Sequence, residues 1–181
     1  VKDAMVKSPG LAPPSVINHS PAGLQGGPVD RLTLQFNDDM DPASFDPAAD
    51  ITGFMGPGGT DLTAQISEFT WDDSRNLTLA FAPQTVPGSY ELVLAPDVAD
   101  DAGNLLDQDG DRVGGEAGED VYTATFEVDR PDLAGTEFAV EPANLWKAAG
   151  KTTVAVTIEN LGLSAAAAYD IRFYLSDDEV V

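Results

Sequence analysis

Short runs in which apolar and polar residues alternate are the feature that most limits how this chain can fold. In the clearest run, Leu32, Leu34 and Phe36 are separated by single polar residues. The same period of two recurs over residues 62–67, 77–81, 90–94, 122–128, 154–158 and 171–175. Successive side chains of a strand point to opposite faces, so each run predicts a half-buried β-strand. Clusters of Pro, Gly and Asp between the runs predict turns.

The strand pattern also predicts the fold class. No convincing amphipathic helix accompanies the runs, although residues 40–50 are compatible with one helical turn. Hydrophobic residues make up 43% of the chain, which is enough to bury a core. We therefore predict an all-β protein built as an antiparallel β-sandwich, with a second, incomplete β-sandwich unit after it.

Breaks in the pattern divide the chain into three segments. Residues 1–15 are rich in proline and predict a linker or leader. The segment "DRPDLAGTEF" interrupts the alternation, so we predict one domain over residues 16–129 and a second over 130–181. The second has too few strands to cover a core by itself. We expect its strand edges to be covered by the first domain or by a second chain, as in a homo-oligomer.

The charge of the chain excludes several partners. Lys and Arg total 9 against 31 Asp and Glu, which gives a net charge of -22. Such a field repels phosphate backbones and anionic membranes, so we expect no nucleic-acid partner. No apolar run approaches the roughly 18 residues of a membrane helix, so we expect no membrane insertion. The acids either solvate the surface or gather to bind divalent cations.

Residues 16–45, "VINHSPAGLQGGPVDRLTLQFNDDMDPASF", resemble the opening of a bacterial Ig-like domain of the type found in S-layer and other surface proteins. The points of likeness are the Ser20-Pro21 pair, "FNDDMD" over residues 36–41 and the "DDAGN" turn over residues 100–104. The resemblance covers about residues 16 to 129. It implies an Ig-like sandwich for the first domain.

Residues 131–178 resemble the first half of a bacterial cell-adhesion-related (CARDB-like) domain, a second sandwich family. The likeness lies in "PDL" at its start, in "VTIENLGLSAA" over residues 156–166 and in "IRFYLSDD" over residues 171–178. Together the two resemblances imply an extracellular or cell-surface bacterial module, joined to neighbouring domains in a long chain. We expect a non-catalytic spacer, adhesion or interaction element that takes a protein or glycan ligand.

The loop "LLDQDGDRVGGEAGED", residues 105–120, carries the strongest chemical signal. Calcium takes six to eight oxygen ligands, and aspartates at alternate positions of a curved loop can point at one centre. Gly114 and Gly115 let the chain bend back to close such a site. We predict a calcium site with Asp107, Asp109 and Asp111 as first ligands, closed by Glu116, Glu119 or Asp120.

Other interpretations of the acidic segments remain open at this point. An EF-hand is improbable, because Arg112 stands where that loop needs Gly and Gly118 stands where it needs a bidentate Glu. A solvated acidic turn competes with calcium on equal terms. The "DDAGN" segment is more typical of a turn, and in "NDDMD" Asp41 most simply caps a turn, with a second ion as the minority hypothesis.

Catalysis has little material in this sequence. His19 is the sole histidine, there is no cysteine, and no Gly-x-Ser-x-Gly motif occurs. We expect no enzyme, although composition leaves a glycosidase with paired carboxylates open. We expect His19 in an exposed turn. The alternative function is a polysaccharide- or peptide-binding accessory domain of a secreted hydrolase, using Trp71 or Trp146, although Trp71 fits the strand pattern as a core residue.

Overall fold

Paired strands account for most of the regular structure of this protein. The computed structural model describes residues 12–141 and 152–173. Its contacts divide the chain into two units, Val1–Asp129 and Arg130–Val181. The first unit is an antiparallel β-sandwich, which confirms the predicted all-β class. Residues 1–11 of the predicted linker lie outside the described range. Pro14, near its end, is buried within the first unit.

One sheet of the sandwich contains four of the described strands. In spatial order these are β1 (Val16–Ser20), β3 (Val29–Phe36), β7 (Asn76–Gln84) and β6 (Ile66–Asp73). All neighbours in this first sheet are antiparallel. The pairing of β1 with β3 is irregular between Val16 and Asn18.

The opposing sheet contains five of the described strands. Their order is β2 (Gly23–Gln25), β9 (Tyr122–Val128), β8 (Gly88–Leu94), β4 (Ile51–Gly56) and β5 (Thr60–Asp61). Within this second sheet β2 runs parallel to β9, and the other pairs are antiparallel. The chain therefore changes sheets between β1 and β2.

The core lies between the two sheets and follows the alternation of the sequence. Buried side chains occur at every second position of the strands: Leu32, Leu34 and Phe36 in β3, Leu77, Leu79 and Phe81 in β7, Tyr90, Leu92 and Leu94 in β8, and Ala124, Phe126 and Val128 in β9. Aromatic rings meet across the core, with the Tyr90 and Phe126 centroids 4.8 Å apart and those of Phe54 and Phe81 4.7 Å apart.

The segments over residues 62–67 and 40–50 differ from the sequence prediction. Residues 63–65 form a 3-10 turn and not the start of a strand, because the Asp61 carboxylate accepts the Thr63 N–H at 2.9 Å and initiates the turn. The strand predicted there begins only at Ile66. Around the predicted helical turn, a 3-10 turn covers Pro42–Ser44 and a short helix, α1, covers Pro47–Asp50.

The second unit is an antiparallel pair within the described residues. It consists of β10 (Leu133–Glu141) and β11 (Thr153–Asn160), with Phe138 opposite Val156. The expected interruption at "DRPDLAGTEF" was thus too long, since β10 begins inside it and accommodates Gly135 with an irregular register. No strand covers residues 171–173, and the rest of that predicted strand lies outside the described range.

The helical content of the described residues consists of short segments. None of these helices is long and apolar enough to cross a membrane.

Candidate metal centre

The acidic loop belongs to the connection between β8 and β9, and buried leucine anchors it to the sandwich. Leu106 is 0% exposed, and its N–H is shared between the carbonyl oxygens of Pro96 and Val98 at 3.2 and 3.1 Å. The chain then returns to the same residue, because the Gly115 N–H donates to the Leu106 oxygen at 2.8 Å. Residues 107–114 are therefore closed into a compact loop.

Three carboxylates of this loop converge on one point. Asp107, Asp109 and Asp120 each offer an oxygen, and these oxygens lie within 4.8 Å of one another. Asp107 and Asp120 are 6% and 0% exposed, whereas Asp109 faces solvent. Burial of two like charges beside a third is costly unless hydrogen bonds or a cation compensate it.

Backbone donors hold the two buried carboxylates in place. Asp107 accepts the N–H groups of Gly110 at 2.7 Å and Arg112 at 2.9 Å, one on each oxygen. Asp120 accepts those of Gln108 at 2.8 Å and Glu116 at 2.9 Å in the same way. A carboxylate oxygen has two lone-pair sites, so each keeps room for a further partner.

The hydrogen bonds also set the ionisation of Asp120. Burial by itself raises the pKa of this carboxyl, but the N–H groups donated to it outweigh burial and hold the pKa below its usual value. Asp120 is therefore ionised at neutral pH. Its negative charge lies inside the protein, where it favours a cation.

Glu116 presents an unsatisfied oxygen beside this group. Its Oε2 atom is buried, and no hydrogen-bond partner for it occurs among the described residues. Burial raises the pKa of Glu116, and repulsion from Asp111, Glu119, Asp120 and Asp109 raises it further. A buried oxygen without a donor, surrounded by negative charge, is the environment that a bound cation relieves.

The remaining two predicted ligands lie outside the convergent group. Asp111 and Glu119 are both exposed. The Asp111 carboxylate accepts the Val113 N–H at 2.7 Å and forms a local turn. The structure thus brings together Asp107, Asp109 and Asp120, places Glu116 close to them, and leaves Asp111 and Glu119 at the rim.

The backbone explains how the loop curves without the glycine of an EF-hand. Arg112 has a positive φ of 79°, a left-handed backbone conformation that residues other than glycine rarely adopt. Gly110 and Gly115 have φ values of 80° and 91°. The turn that the sequence made doubtful at Arg112 is therefore formed, with the Arg112 N–H bound to Asp107.

Asp39 of the "NDDMD" cluster is paired with a cationic side chain of the protein. The Arg75 Nε donates to the Asp39 carboxylate at 2.9 Å, and its Nη1 donates to the Asn37 carbonyl at 3.0 Å. The Arg75 guanidinium and the Ser74 hydroxyl hold the pKa of Asp39 below its usual value. Asp41 accepts the Ala43 N–H at 3.0 Å and caps the turn as predicted.

The "DDAGN" segment is a turn closed by its first aspartate. Asp100 is 2% exposed, and its two oxygens accept the backbone N–H and the side-chain amide of Asn104, both at 2.7 Å. Gly103 has a φ of 78°, which suits a glycine at this point of the turn. The turn interpretation therefore accounts for Asp100.

Comparison with known proteins finds distant matches among solved structures. No protein-family model matches it, and no curated protein matches it. Among solved structures, CopC from Methylosinus trichosporium OB3b aligns with 64% of this chain and 92% of its own, at 16% identity and a TM-score of 0.43. The S-layer protein rSbsC aligns with 69% of this chain, at 16% identity and a TM-score of 0.41, and the alignment spans 15% of that protein. At this distance neither protein's activity carries over.

Aromatic residues weighed for ligand binding are placed differently. Trp71 is half-buried, with its ring centroid 5.6 Å from that of Phe36 and 6.4 Å from that of Phe45. This agrees with a core position. Trp146 lies outside the described residues. A surface hollow of about 510 Å³ lies on the second sheet, beside Ser89, Glu91 and Glu127, and neither Trp71 nor the acidic loop lines it.

His19 was misplaced by the sequence argument. It lies in β1 and not in an exposed turn, with its Nδ1 2.6 Å from the Tyr122 hydroxyl and its Nε2 2.9 Å from the Thr125 carbonyl. The period-two pattern of β1 is weak, because Val16 and Ile17 are both apolar and the next two residues, Asn18 and His19, are both polar. The signal that finds this strand is long-range pairing with β3, which a local pattern does not contain.

Proposed function

We propose that this protein is a non-catalytic, extracellular β-sandwich module of a larger bacterial surface or secreted protein, stabilised by calcium. The observation that carries the proposal is the convergence of Asp107, Asp109 and Asp120 beside the unsatisfied Oε2 of Glu116. The module acts as a spacer or interaction element. Calcium orders the connection before β9 and so strengthens the sandwich.

Calcium suits this ligand set better than softer metals. All the candidate donors are carboxylate oxygens, which hard cations prefer, and the chain has no cysteine. In this proposal Asp107, Asp109 and Asp120 supply one oxygen each, and Glu116 supplies the fourth. Water and backbone oxygens complete the six to eight ligands that calcium takes.

The bulk properties support an extracellular setting. Calcium sites of extracellular modules have Kd values of about 10⁻⁴ to 10⁻³ M. Affinity in this range is sufficient for calcium to occupy the site outside the cell. A net charge of -22 makes the folded state repel itself, and a bound divalent cation offsets part of that repulsion. The resemblance of residues 16–129 to bacterial surface domains points the same way.

The second unit supports the interaction part of the proposal. In β10 and the segment after β11, apolar side chains are exposed, among them Phe138 at 65% and Leu161 at 63%. A two-stranded pair with an open apolar face is at best marginally stable alone. We propose that further protein covers this face, as in the adhesion-type domain that residues 131–178 resemble.

The calcium proposal is tested by binding and by thermal unfolding. Isothermal titration of the full chain with calcium chloride should show saturable binding, and the melting temperature should fall when a chelator replaces calcium. At a calcium concentration about 100 times Kd, mass action contributes about 2.7 kcal/mol to the free energy of unfolding. Unchanged melting together with the absence of binding heat would remove the proposal.

A matched pair of variants separates a specific site from general screening of charge. Asp109→Asn keeps the hydrogen bond to the Asp111 N–H, which is 3.0 Å long, but removes one charged ligand. It should weaken calcium binding about tenfold, equivalent to about 1.4 kcal/mol, with little change in the metal-free melting temperature. Asp101→Asn removes an exposed charge outside the group and should bind as the wild type does. Equal weakening in both variants would indicate a diffuse charge effect.

A further inference from the structure

Gln108, between two of the candidate ligands, pairs with the first strand as another strand would. Its Oε1 accepts the Val16 N–H at 3.0 Å, and its Nε2 donates to the Val16 carbonyl oxygen at 3.0 Å. The N–H and C=O of a strand residue point to the same edge. Gln108 therefore satisfies both groups on the side of β1 that faces away from β3.

Two more hydrogen bonds join the same stretch of loop to the start of β1 and to the carboxylate group. The Asp107 N–H donates to the Pro14 oxygen at 2.8 Å. The Gln108 N–H donates to the Asp120 carboxylate at 2.8 Å. Residues 107 and 108 thus contact residues 14–16 on one side and a candidate ligand on the other.

On the side that faces β3, Ser15 is bound to Asn37, which directly follows β3. The Ser15 N–H donates to the Asn37 side chain at 2.8 Å, and the Asn37 N–H donates to the Ser15 oxygen at 3.0 Å. The ladder between β1 and β3 is irregular just after Val16. An edge strand with an irregular ladder opens at low free-energy cost, so the contacts with the loop decide how firmly its first residues are held.

We propose that residues 107–120 form a latch on β1, and that cation binding closes it. The ion part of this inference rests on the proposed calcium site. Without a cation, repulsion among Asp107, Asp109, Asp120 and Glu116 favours loop conformations in which these groups separate, and the bonds from residues 107 and 108 to β1 break with them. With a cation, the carboxylates are held together and the latch stays shut.

Thermodynamic linkage makes this coupling reciprocal. If calcium lowers the equilibrium constant for opening of β1 by a given factor, release of β1 weakens calcium binding by the same factor. A force or a partner that detaches the start of β1 would thus weaken binding of the ion by that factor. Calcium occupancy of the module would then depend on whether the residues before β1 leave this strand in place.

Hydrogen exchange of the full chain tests the latch. Amide exchange of residues 15–17 is measured with calcium chloride and with chelator, in the wild type and in Gln108→Ala. In the wild type, calcium should slow exchange at Val16 about tenfold or more. In Gln108→Ala, exchange at Val16 should be fast in both conditions, and calcium binding should be weaker.

Two further variants keep this experiment decisive. Gln35→Ala removes an exposed glutamine from the neighbouring β3 and should behave as the wild type does. Gln108→Met keeps the length of the side chain and loses both hydrogen bonds to Val16, so the same fast exchange at Val16 is expected of it if Gln108→Ala fails to fold. Calcium binding by calorimetry with unchanged exchange at Val16 would overturn the latch and leave the calcium site intact. Absence of binding heat in the wild type would overturn both.

Discussion

His19 in β1 and Tyr122 in β9 are joined by a hydrogen bond of 2.6 Å between the imidazole Nδ1 and the phenol oxygen. The two strands belong to different sheets of the sandwich. The sole histidine of the chain therefore ties the two layers together at their edge. Burial raises the pKa of the Tyr122 hydroxyl, so the phenol is neutral in this contact.

Removing the imidazole should destabilise the first unit. We expect His19→Ala to lower the free energy of unfolding by about 1 to 2 kcal/mol, because the Tyr122 hydroxyl loses its partner. Urea unfolding measures this loss. Tyr122→Phe removes the other partner, and the double variant should lose less than the sum of the two single losses. Strict additivity would show that the bond contributes nothing, and Asn18→Ala at an exposed neighbouring position serves as the control.

The closure of the acidic loop depends on Gly114. A Cβ at this position would collide with the backbone carbonyl of Leu105 and lie 3.0 Å from the Leu106 oxygen. Gly114→Ala should therefore destabilise the protein by about 1 to 3 kcal/mol and weaken calcium binding. Gly118→Ala is the matched control, since a Cβ there meets nothing within 4 Å. Equal calcium affinity in both variants would contradict the proposed closure.

Calcium binding should weaken as the pH falls below neutral. The pKa of Glu116 is raised by burial and by the neighbouring carboxylates, whereas that of Asp120 is lowered, so Glu116 takes up a proton first. The proton competes with calcium, and one displaced proton can cost at most about tenfold in affinity per pH unit. Calorimetric titrations at several pH values between about 5 and 7 measure how calcium affinity changes with pH. In Glu116→Gln this change should be smaller. A slope that persists in Glu116→Gln would assign the proton to another group.

The buried carboxylate of Asp50 should lower the stability of the folded protein at neutral pH. Burial raises the pKa of its carboxyl, and Asp97 and Asp46 raise it further, although the Asp46 N–H donated to it at 2.7 Å opposes the rise. A raised folded-state pKa means that the folded protein binds this proton more tightly, so stability from this group is present at low pH and is lost as pH rises through the folded pKa. We expect Asp50→Asn to be at least as stable as the wild type at pH 7. The advantage should shrink as the pH is lowered, which urea unfolding at several pH values measures.

Within the residues that the structure describes, one calcium ion should bind. Because the Arg75 guanidinium already neutralises Asp39, the "NDDMD" cluster has little demand for a second ion. Asp39→Asn should leave calcium affinity unchanged, and Arg75→Met should cause a small loss of stability that shrinks in high salt. A stoichiometry of two, with one site lost in Asp39→Asn, would show that this cluster binds an ion as well.

Strands with strict alternation were predictable, and strands defined by their partners were not. The local pattern predicts β7 without its partners, because a strand with one buried face needs an apolar residue at every second position, here Leu77, Leu79 and Phe81. By contrast, β5 has only two residues, Thr60 and Asp61, and is a strand because it pairs with β4. No local window contains that information.

The candidate site divides in the same way. Asp107 and Asp109 were predictable as a pair, because alternate residues of a curved loop point to one side. Asp120 joins them only because the Gln108 and Glu116 N–H groups fix its carboxylate, while Asp111 instead binds the Val113 N–H. Spacing in the sequence ranked Asp111 ahead of Asp120, and hydrogen bonding reversed the order.

The sequence by itself determined the all-β class, the alternating core strands β3, β7, β8 and β9, and the presence of an acidic loop, since these follow from local period, composition and turn chemistry. Only the tertiary structure decided which carboxylates meet, that Arg75 neutralises Asp39, and that Gln108 and His19 hold β1. The physical reason is distance along the chain. Each of these contacts joins groups that folding brings together, and the cost and the benefit of burying charged side chains exist only after the sandwich has formed.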